Sequence, residues 1–205
     1  MSHAVRLRTP RLVIRRWSTA DADGLAAAIE SNLEHLQRWF SWARDEPAPQ
    51  AEHVLRLDRC ARDFDLDRDW PFALLTADEQ VIVGGAGLHA TGRDDTLEVG
   101  CWLCADVQGL GLASEVTTAL CHEAFFRRGM SAVSLRCNPH NARAIRLAER
   151  MGFVRLDQRE ALGLGQSKHG VAEPTVIYLL RRDEVALDSP VREGGAVYED
   201  DTPAS

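Results

Sequence analysis

The sequence predicts a single α/β domain in which helices pack against a sheet, and three observations lead there. The 205 residues are 45% hydrophobic and 27% charged, the composition of a soluble globule long enough for one substantial core. Short runs that alternate apolar and polar residues are interleaved with longer runs of helical period. Between Leu97 and Arg128 a strand-like run, a glycine-bearing loop and a helix-like run follow one another directly. The predicted domain spans 1–182. From Asp183 onward, over 183–205, the chain turns acidic and rich in Gly and Pro, and Leu187–Ser205 reads as a disordered tail.

Taken in order, Leu7 to Trp17 reads as the first strand, with Leu12 and Ile14 alternating against Arg11, Arg15 and Arg16. Ser18 or Thr19 caps a helix over Asp21–Ser31; Asp21 and Asp23 suit its positive end, and Leu25, Ala28 and Ile29 give it an apolar face. Asn32 to Trp42 reads as a short amphipathic helix burying Leu36, Trp39 and Phe40. After a linker marked by Pro47 and Pro49, Gln50 to Asp65 is predicted helical on the spacing of Val54, Leu57 and Ala61. Trp70–Thr76 and Gln80–His89 read as an antiparallel pair around Asp78-Glu79, with Gly84-Gly85 marking a bulge or a close backbone approach.

Thr91 to Asp95 then turns the chain into a central strand, Leu97–Cys104. Along it Glu98, Gly100, Trp102 and Cys104 share one face, and Leu97, Val99, Cys101 and Leu103 share an apolar face that should meet a helix layer. A helix over Ser114–Arg128 stops at Gly129. Ala132–Cys137 is a short buried strand, and Asn138-Pro139 is an N-cap and first-position pair for a helix ending at Gly152. Phe153–Glu160 and Thr175–Leu180 are the last two strands, joined by a glycine-bearing loop, Ala161–Pro174, that reads as mobile, with His169 as a solvated residue in it.

The loop Gln108-Gly109-Leu110-Gly111-Leu112-Ala113 sits between strand and helix. The first turn of that helix has N–H groups without intrahelical partners and carries partial positive charge, so an anion fits there, and glycines let it approach the backbone. No Gly-Lys-Ser/Thr follows, so this is not a Walker loop; Gly-x-Gly-x-x-Gly is absent, so it is not a dinucleotide fingerprint.

It does fit Gln/Arg-x-x-Gly-x-Gly/Ala, with Gln108, Gly111 and Ala113 in the key places, and Asn138-Pro139-His140-Asn141-Ala142 downstream opens a helix running to Met151-Gly152-Phe153. Together these resemble the acyl-CoA pyrophosphate loop and the Asn-x-x-Asn … Gly-Phe segment of the GNAT N-acetyltransferases. Thr9-Pro10-Arg11-Leu12 with Arg15, His35-Leu36-x-x-Trp39-x-x-Trp42, and Glu98-Val99-Gly100-Cys101-Trp102-Leu103 resemble the Rim-type branch, which acetylates ribosomal-protein alanines. The resemblance covers roughly residues 7–182.

It implies the GNAT fold, a mixed and mostly antiparallel sheet of six or seven strands flanked by helices, with acetyl-CoA as donor and no metal. It further implies that backbone N–H groups along Gln108, Gly109, Leu110, Gly111, Leu112, Ala113 and Ser114 hold the pyrophosphate. Main chain at Leu103 and Cys104, where neighbouring strands splay apart, would bond the pantetheine arm, and the Asn141 side chain would bond an amide of that arm. Trp39, Trp42 and Trp102 would border the cleft of the amine acceptor, a protein N-terminus or a small molecule such as an antibiotic or aminoacyl compound.

Glu98 is a lone carboxylate on its strand face, costly unless paired or functional. Either it pairs with an arginine at an exposed sheet edge, or it faces the acceptor amine as general base, directly or through a water. Its reach is the difficulty: it lies about 16 Å along an extended strand from Leu103. Glu160, near the end of the sixth predicted strand, is the rival. Where many relatives carry a tyrosine or a serine acid, this chain has Ala148 and Ala144. A water or a neighbouring hydroxyl such as that of Ser114 is then left to protonate the thiolate, or the thiolate leaves without an acid. That gap leaves a rival class, a non-catalytic acyl-CoA-binding or sensing module; a nucleotide-binding protein using the same loop lacks the lysine and the metal-binding hydroxyl.

The net charge of −7 argues against a nucleic-acid partner and suits a basic or amine-bearing one. No run approaches transmembrane length, and no apolar stretch precedes a cleavage site, so a cytoplasmic protein without a membrane partner, monomeric or homodimeric, is expected. The five cysteines read as free thiols. Cys101-x-x-Cys104 lies on a strand, where residues three apart point to opposite faces, and no second ligand pair accompanies it, so packing is the reading rather than metal.

Overall fold

The structure, a computed structural model, describes residues 4–165, 171 and 174–200. The chain opens with a hairpin of β1 (Ala4–Arg8) and β2 (Leu12–Arg16), then runs through α1 (Ala22–Glu30), α2 (Leu33–Trp39) and α3 (Gln50–Asp65). β3 (Asp69–Thr76), β4 (Ile82–Ala90) and β5 (Thr96–Leu103) follow, then α4 (Leu112–His122), β6 (Ala132–Cys137) and α5 (Ala142–Arg150). The last elements are β7 (Val154–Arg155), α6 (Gln158–Leu162), β8 (Val176–Arg181), α7 (Pro190–Glu193) and β9 (Val197–Asp200).

The strands form one sheet in the order β7-β8-β6-β5-β4-β3-β2-β1-β9. β5 and β6 pair parallel; the other neighbours pair antiparallel. Alternation along the strands loads both faces. Ile14, Leu74, Leu88, Leu97, Val99 and Leu103 pack with Val116 and Leu120 of α4. Val13, Ala73, Leu75 and Trp102 point the other way, toward Leu25 and Ile29 of α1, Leu36 of α2 and Leu57 of α3. The predicted division of β5 into two faces therefore holds, and Cys101 and Cys104 separate onto opposite sides. No helix among the described residues is long and apolar enough to cross a membrane.

The expected first strand is two, because Pro10 sits in a tight turn where the Thr9 N–H donates to Leu12 O at 2.9 Å. The sheet has nine strands among the described residues, not six or seven. Two of the additions come from the ends of the chain: the hairpin, and β9, which pairs with the outer edge of β1. The expected disordered tail is ordered as far as Asp200. Val185 and Val191 are buried, and Tyr198 Oη donates to Ala119 O of α4 at 3.1 Å, so three apolar anchors override the acidic composition. Residues 201–205 lie outside the described residues.

The strand expected over Phe153–Glu160 stops after Arg155. Asp157 and Glu160 form a reciprocal capping box and start α6 instead. The N-cap of α5 is Asn141, whose side chain accepts from Ala144 N, rather than Asn138; the Asn138 side chain instead accepts from His140 N at 2.9 Å and turns the chain. α4 begins at Leu112, and its last turn, Glu123–Arg127, is a π-turn before Gly129 at φ 75°. The β3–β4 register shifts between Leu74↔Gly84 and Leu75↔Ile82, so a bulge falls at Val83 next to the glycine pair, and at Gly84 itself the backbone of Trp102 approaches closely. His169 and most of the glycine-bearing loop lie outside the described residues.

Candidate active site

β5 and β6 pair only from Thr96↔Ala132 to Val99↔Leu135. Beyond that point Gly100–Leu103 stay paired with β4, while Arg136 and Cys137 stay paired with β8. Two parallel strands held by opposite neighbours diverge, and a wedge opens between them. Val99, Gly100 and Cys101 line one wall, Leu135, Arg136, Cys137 and Asn138 the other, with Trp39, Phe40 and Asn141 at the rim. The ladder left unfinished inside the wedge is what an extended ligand arm adds to, as an extra strand would. At its mouth Leu103 O accepts from Gln108 Nε2 at 3.0 Å and Cys104 N donates to Val83 O at 2.9 Å. Those two backbone groups are thus already engaged, and the open main chain falls deeper, beyond Val99.

β5 leads into the loop. Gly109 and Gly111 have φ of 81° and 82°, a region costly to residues with a Cβ, and Gly111 is the N-cap of α4 with no side chain to satisfy the first N–H groups. Arginines surround this positive end. Arg11 Nη1 donates to Leu110 O at 2.6 Å, and its guanidinium pairs with Glu115 at 2.6 Å. Arg150 Nη2 donates to Ser114 Oγ at 2.8 Å, which occupies an acceptor lone pair of the hydroxyl expected to stand in as an acid and not its O–H. Arg143 donates to Gln108 Oε1. On its other side Gln108 Nε2 lies 2.5 Å from His35 Nε2. Burial, then the charges of Arg143 and Arg38, hold the His35 imidazole below its ordinary pKa. The ring is therefore neutral and accepts from the amide, and Gln108 is clamped from three directions. These cations escaped the sequence reading, although Arg143, Arg146 and Arg150 fall at i, i+3 and i+7 of α5, the spacing of one helix face.

On the opposite sheet face the expected acceptor groups separate. Trp39 lines the wedge. Trp42 instead packs between Phe40 (5.8 Å) and Trp102 (6.1 Å), and Trp102 is buried over Gly85, where a Cβ would come within 2.6 Å of its Nε1. Glu98 is 3% exposed and accepts from Arg136 Nε at 2.7 Å. Of the two readings of Glu98, the arginine partner is present, in the interior rather than at an exposed edge. Glu160 is on α6, not on a strand, beside Arg93, Leu179 and Arg181. Arg181 pairs with Ala132 of β6, which is level with Thr96 at the start of β5 rather than with its loop end, so Glu160 is not brought to the wedge. Asn141 lies at the rim with its side-chain oxygen committed to the helix cap. His89, which the sequence did not single out, lies across the sheet from Glu98.

No curated protein matches the sequence closely. Among solved structures, the microcin C7 self-immunity acetyltransferase MccE, in complex with acetyl-CoA and AMP, superposes with a TM-score of 0.70 at 18% identity, covering 84% of this chain and 93% of that one. The ribosomal L7/L12 alpha-N-protein acetyltransferase RimL, in complex with coenzyme A, gives 0.69 at 18% identity, with 88% and 98% covered. The ribosomal-protein-S5-alanine acetyltransferase of Vibrio fischeri gives 0.69 at 16%, with 89% and 99% covered. These likenesses show the fold. Residues 11–154, which hold the wedge, the glycine loop and α5, match the family model of the acetyltransferase (GNAT) domain. The chain belongs to the GNAT acetyltransferase family, and it is an acetyl-CoA-dependent N-acetyltransferase.

Proposed function

We propose that this enzyme transfers acetyl to the primary amine of a protein N-terminus by direct attack in a ternary complex. The observation that carries the reading is the wedge between β5 and β6, which runs into a left-handed glycine N-cap ringed by Arg11, Arg143 and Arg150. A pyrophosphate fits the helix end, and an extended arm fits the unfinished ladder, which aims a thioester into the sheet. The backbone of Gln108–Ser114 and the rim residue Asn141 are the donor-side contacts in this reading. Trp39 is the aromatic that meets the acceptor, while Trp42 packs between Phe40 and Trp102. Glu98 stands on the same strand face as Trp102, paired with Arg136. Holding amine and thioester together supplies much of the acceleration.

The ribosomal-protein acetyltransferases among the similar folds favour a protein acceptor. The likeness to MccE keeps small amines in the test. The experiment is thiol release from acetyl-CoA across a set of amines: short peptides with free N-terminal alanine or serine, aminoacyl amides, aminoacyl nucleotides and aminoglycosides. Turnover is expected with the peptides. Turnover confined to a small-molecule class moves the acceptor there, and acetyl-CoA binding without turnover on any amine refutes the reading.

A further inference from the structure

Among the described residues, Arg136 is the one charged side chain that lines the wedge. Leu135 and Cys137, its neighbours on β6, pack on the α4 face, so Arg136 turns to the other face, where Glu98 lies. Its guanidinium is held at two points. Nε donates to Glu98 at 2.7 Å, and Nη2 donates to Gly165 O at 2.6 Å. Gly165 is itself anchored, because the preceding Leu164 is buried and its carbonyl accepts from Gly92 N at 3.1 Å. A side chain held in this way has lost its rotamer freedom before any ligand arrives, so binding to it carries little further ordering cost.

A guanidinium carries five N–H donors, and the two bonds use Nε and one hydrogen of Nη2. Nη1 makes no hydrogen bond among the described residues, yet it is not sealed from solvent. Its two hydrogens therefore open on the cavity, on the wall opposite Gly100 and in the same space as Trp39. A guanidinium accepts no hydrogen bond and stays charged at every working pH, so it does not take the proton of the amine. What it binds is an oxygen beside the amine. In an α-aminoacyl group the carbonyl carbon is attached to the carbon that bears the nitrogen, so its oxygen lies next to the attacking atom. A simple alkyl amine or a lysine side chain has no oxygen there. Glu98 already balances the charge of Arg136, and a free carboxylate in the same place would be repelled by it. The position thus suits a neutral carbonyl.

We propose that Arg136 determines acceptor specificity: Nη1 donates to the α-carbonyl oxygen of an acceptor whose first residue carries the reacting amine, and so sets α-amino amides and esters above simple alkyl amines and free amino acids. The inference rests on the acetyl-transfer reading above and names the atom beside the amine by which the acceptor is chosen. Arg136 takes no part in the bond making; it orients the amine nitrogen by holding the oxygen next to it.

The test uses the full chain with acetyl-CoA and three probes: L-alanine amide, L-alanine, and sec-butylamine, which has the same branched amine without the carbonyl. Rates are compared at equal concentrations of neutral amine. Wild type is expected to favour L-alanine amide over the other two by about tenfold or more, the worth of one hydrogen bond to a charged group. Arg136→Lys keeps a cation for Glu98 and removes Nη1, whereas deleting the charge alone would strand a buried carboxylate. In that variant kcat/KM for L-alanine amide should fall about 10–10²-fold, mainly through KM. Turnover of sec-butylamine and acetyl-CoA Kd by calorimetry should stay at wild-type values. If sec-butylamine reacts too slowly to follow, its inhibition of L-alanine amide acetylation is measured instead. If Arg136→Lys does not fold, the double variant Glu98→Gln with Arg136→Gln, which removes both charges, should show the same loss of preference. Equal losses with L-alanine amide and sec-butylamine overturn the proposal and leave Arg136 a structural tie. So does a folded variant that keeps the wild-type preference, or a wild type that has none. A wild-type chain that binds acetyl-CoA yet releases no thiol with any probe or with the wider amine set overturns the acetyl-transfer reading itself, an outcome distinct from the others.

Discussion

Replacing Gly111 by aspartate separates folding from anion binding at the loop. The position has φ 82°, and an added Cβ would meet only Arg11 Nη2, at 3.6 Å. The folding cost is therefore conformational, about 1–2 kcal/mol for a residue forced into the left-handed region, and smaller for aspartate, which tolerates it. A carboxylate at a helix N-terminus returns about 0.3–1 kcal/mol. The variant should thus stay folded, its melting temperature within a few degrees of wild type. Binding has no such offset, because the new carboxylate sits where the pyrophosphate would. Hydrogen bonds to a charged group are worth about 1.5–3 kcal/mol each. Losing two costs about 3–6 kcal/mol, or on the order of 10²–10⁴-fold in acetyl-CoA affinity. Calorimetric titration with acetyl-CoA, alongside thermal unfolding, reads both quantities. Gly111→Ala is the control, carrying the backbone cost without the charge, and should lose less than about tenfold. A folded Gly111→Asp protein that binds acetyl-CoA as tightly as wild type would refute the placement of the pyrophosphate.

The remaining predictions concern the two sheet faces, the clamp and the terminal strand. Trp39→Ala should raise the acceptor KM and leave that of acetyl-CoA unchanged, whereas Trp42→Ala should lower stability by about 2 kcal/mol, less than a fully buried tryptophan costs, with both constants unchanged; the opposite pattern would exchange their roles. The folded pKa of His35 lies below its ordinary value, so its contribution is present above the unfolded pKa and is lost as pH falls through the folded one. Once protonated, the ring no longer accepts from Gln108, so acetyl-CoA affinity should drop on the acid side, and His35→Asn should flatten that dependence in a binding titration run from neutral to acid pH. Deleting residues 187–205 removes α7 and β9, and with them the buried Val191 and the Tyr198 bond to Ala119 O; about 3 kcal/mol, or roughly 6–12 °C in Tm for a chain this size, should be lost. An unchanged melting curve would return that segment to the disordered class.

Sequence reading succeeded where a local pattern settles the structure. Gln50–Asp65 and Ala132–Cys137 form over the expected residues, and the loop glycines at 109 and 111 take the left-handed backbone that their position between strand and helix requires. It failed where long-range packing decides. Acidic composition suggested disorder after Asp183, yet Val185, Val191 and Tyr198 are enough to dock the segment. The capping box at Asp157 and Glu160 was visible as Asp-x-x-Glu, and reading it would have ended the preceding strand. Of the candidate site, the glycine loop between β5 and α4 was legible because one contiguous motif builds it. The row on the other sheet face was not: Asp69, His89 and Glu98 are far apart in sequence, and only the register of three strands brings them together.

The pairing of β9 with β1 joins the two ends of the chain, Ala4↔Asp200 through Arg8↔Val197. On a ribosome the first strand emerges early, and its outer partner roughly 190 residues later. At about 5–20 residues per second, β1 then spends on the order of 10–40 s with one row of N–H and C=O groups open. That row is a template for any passing extended chain until Val197–Asp200 arrives. The closing strand is short and carries Glu199, a charge that discourages a further strand from adding outside it. The edge of β1 thus stays open until Val197–Asp200 pairs with it, and a truncation before Val197 would leave it open for good.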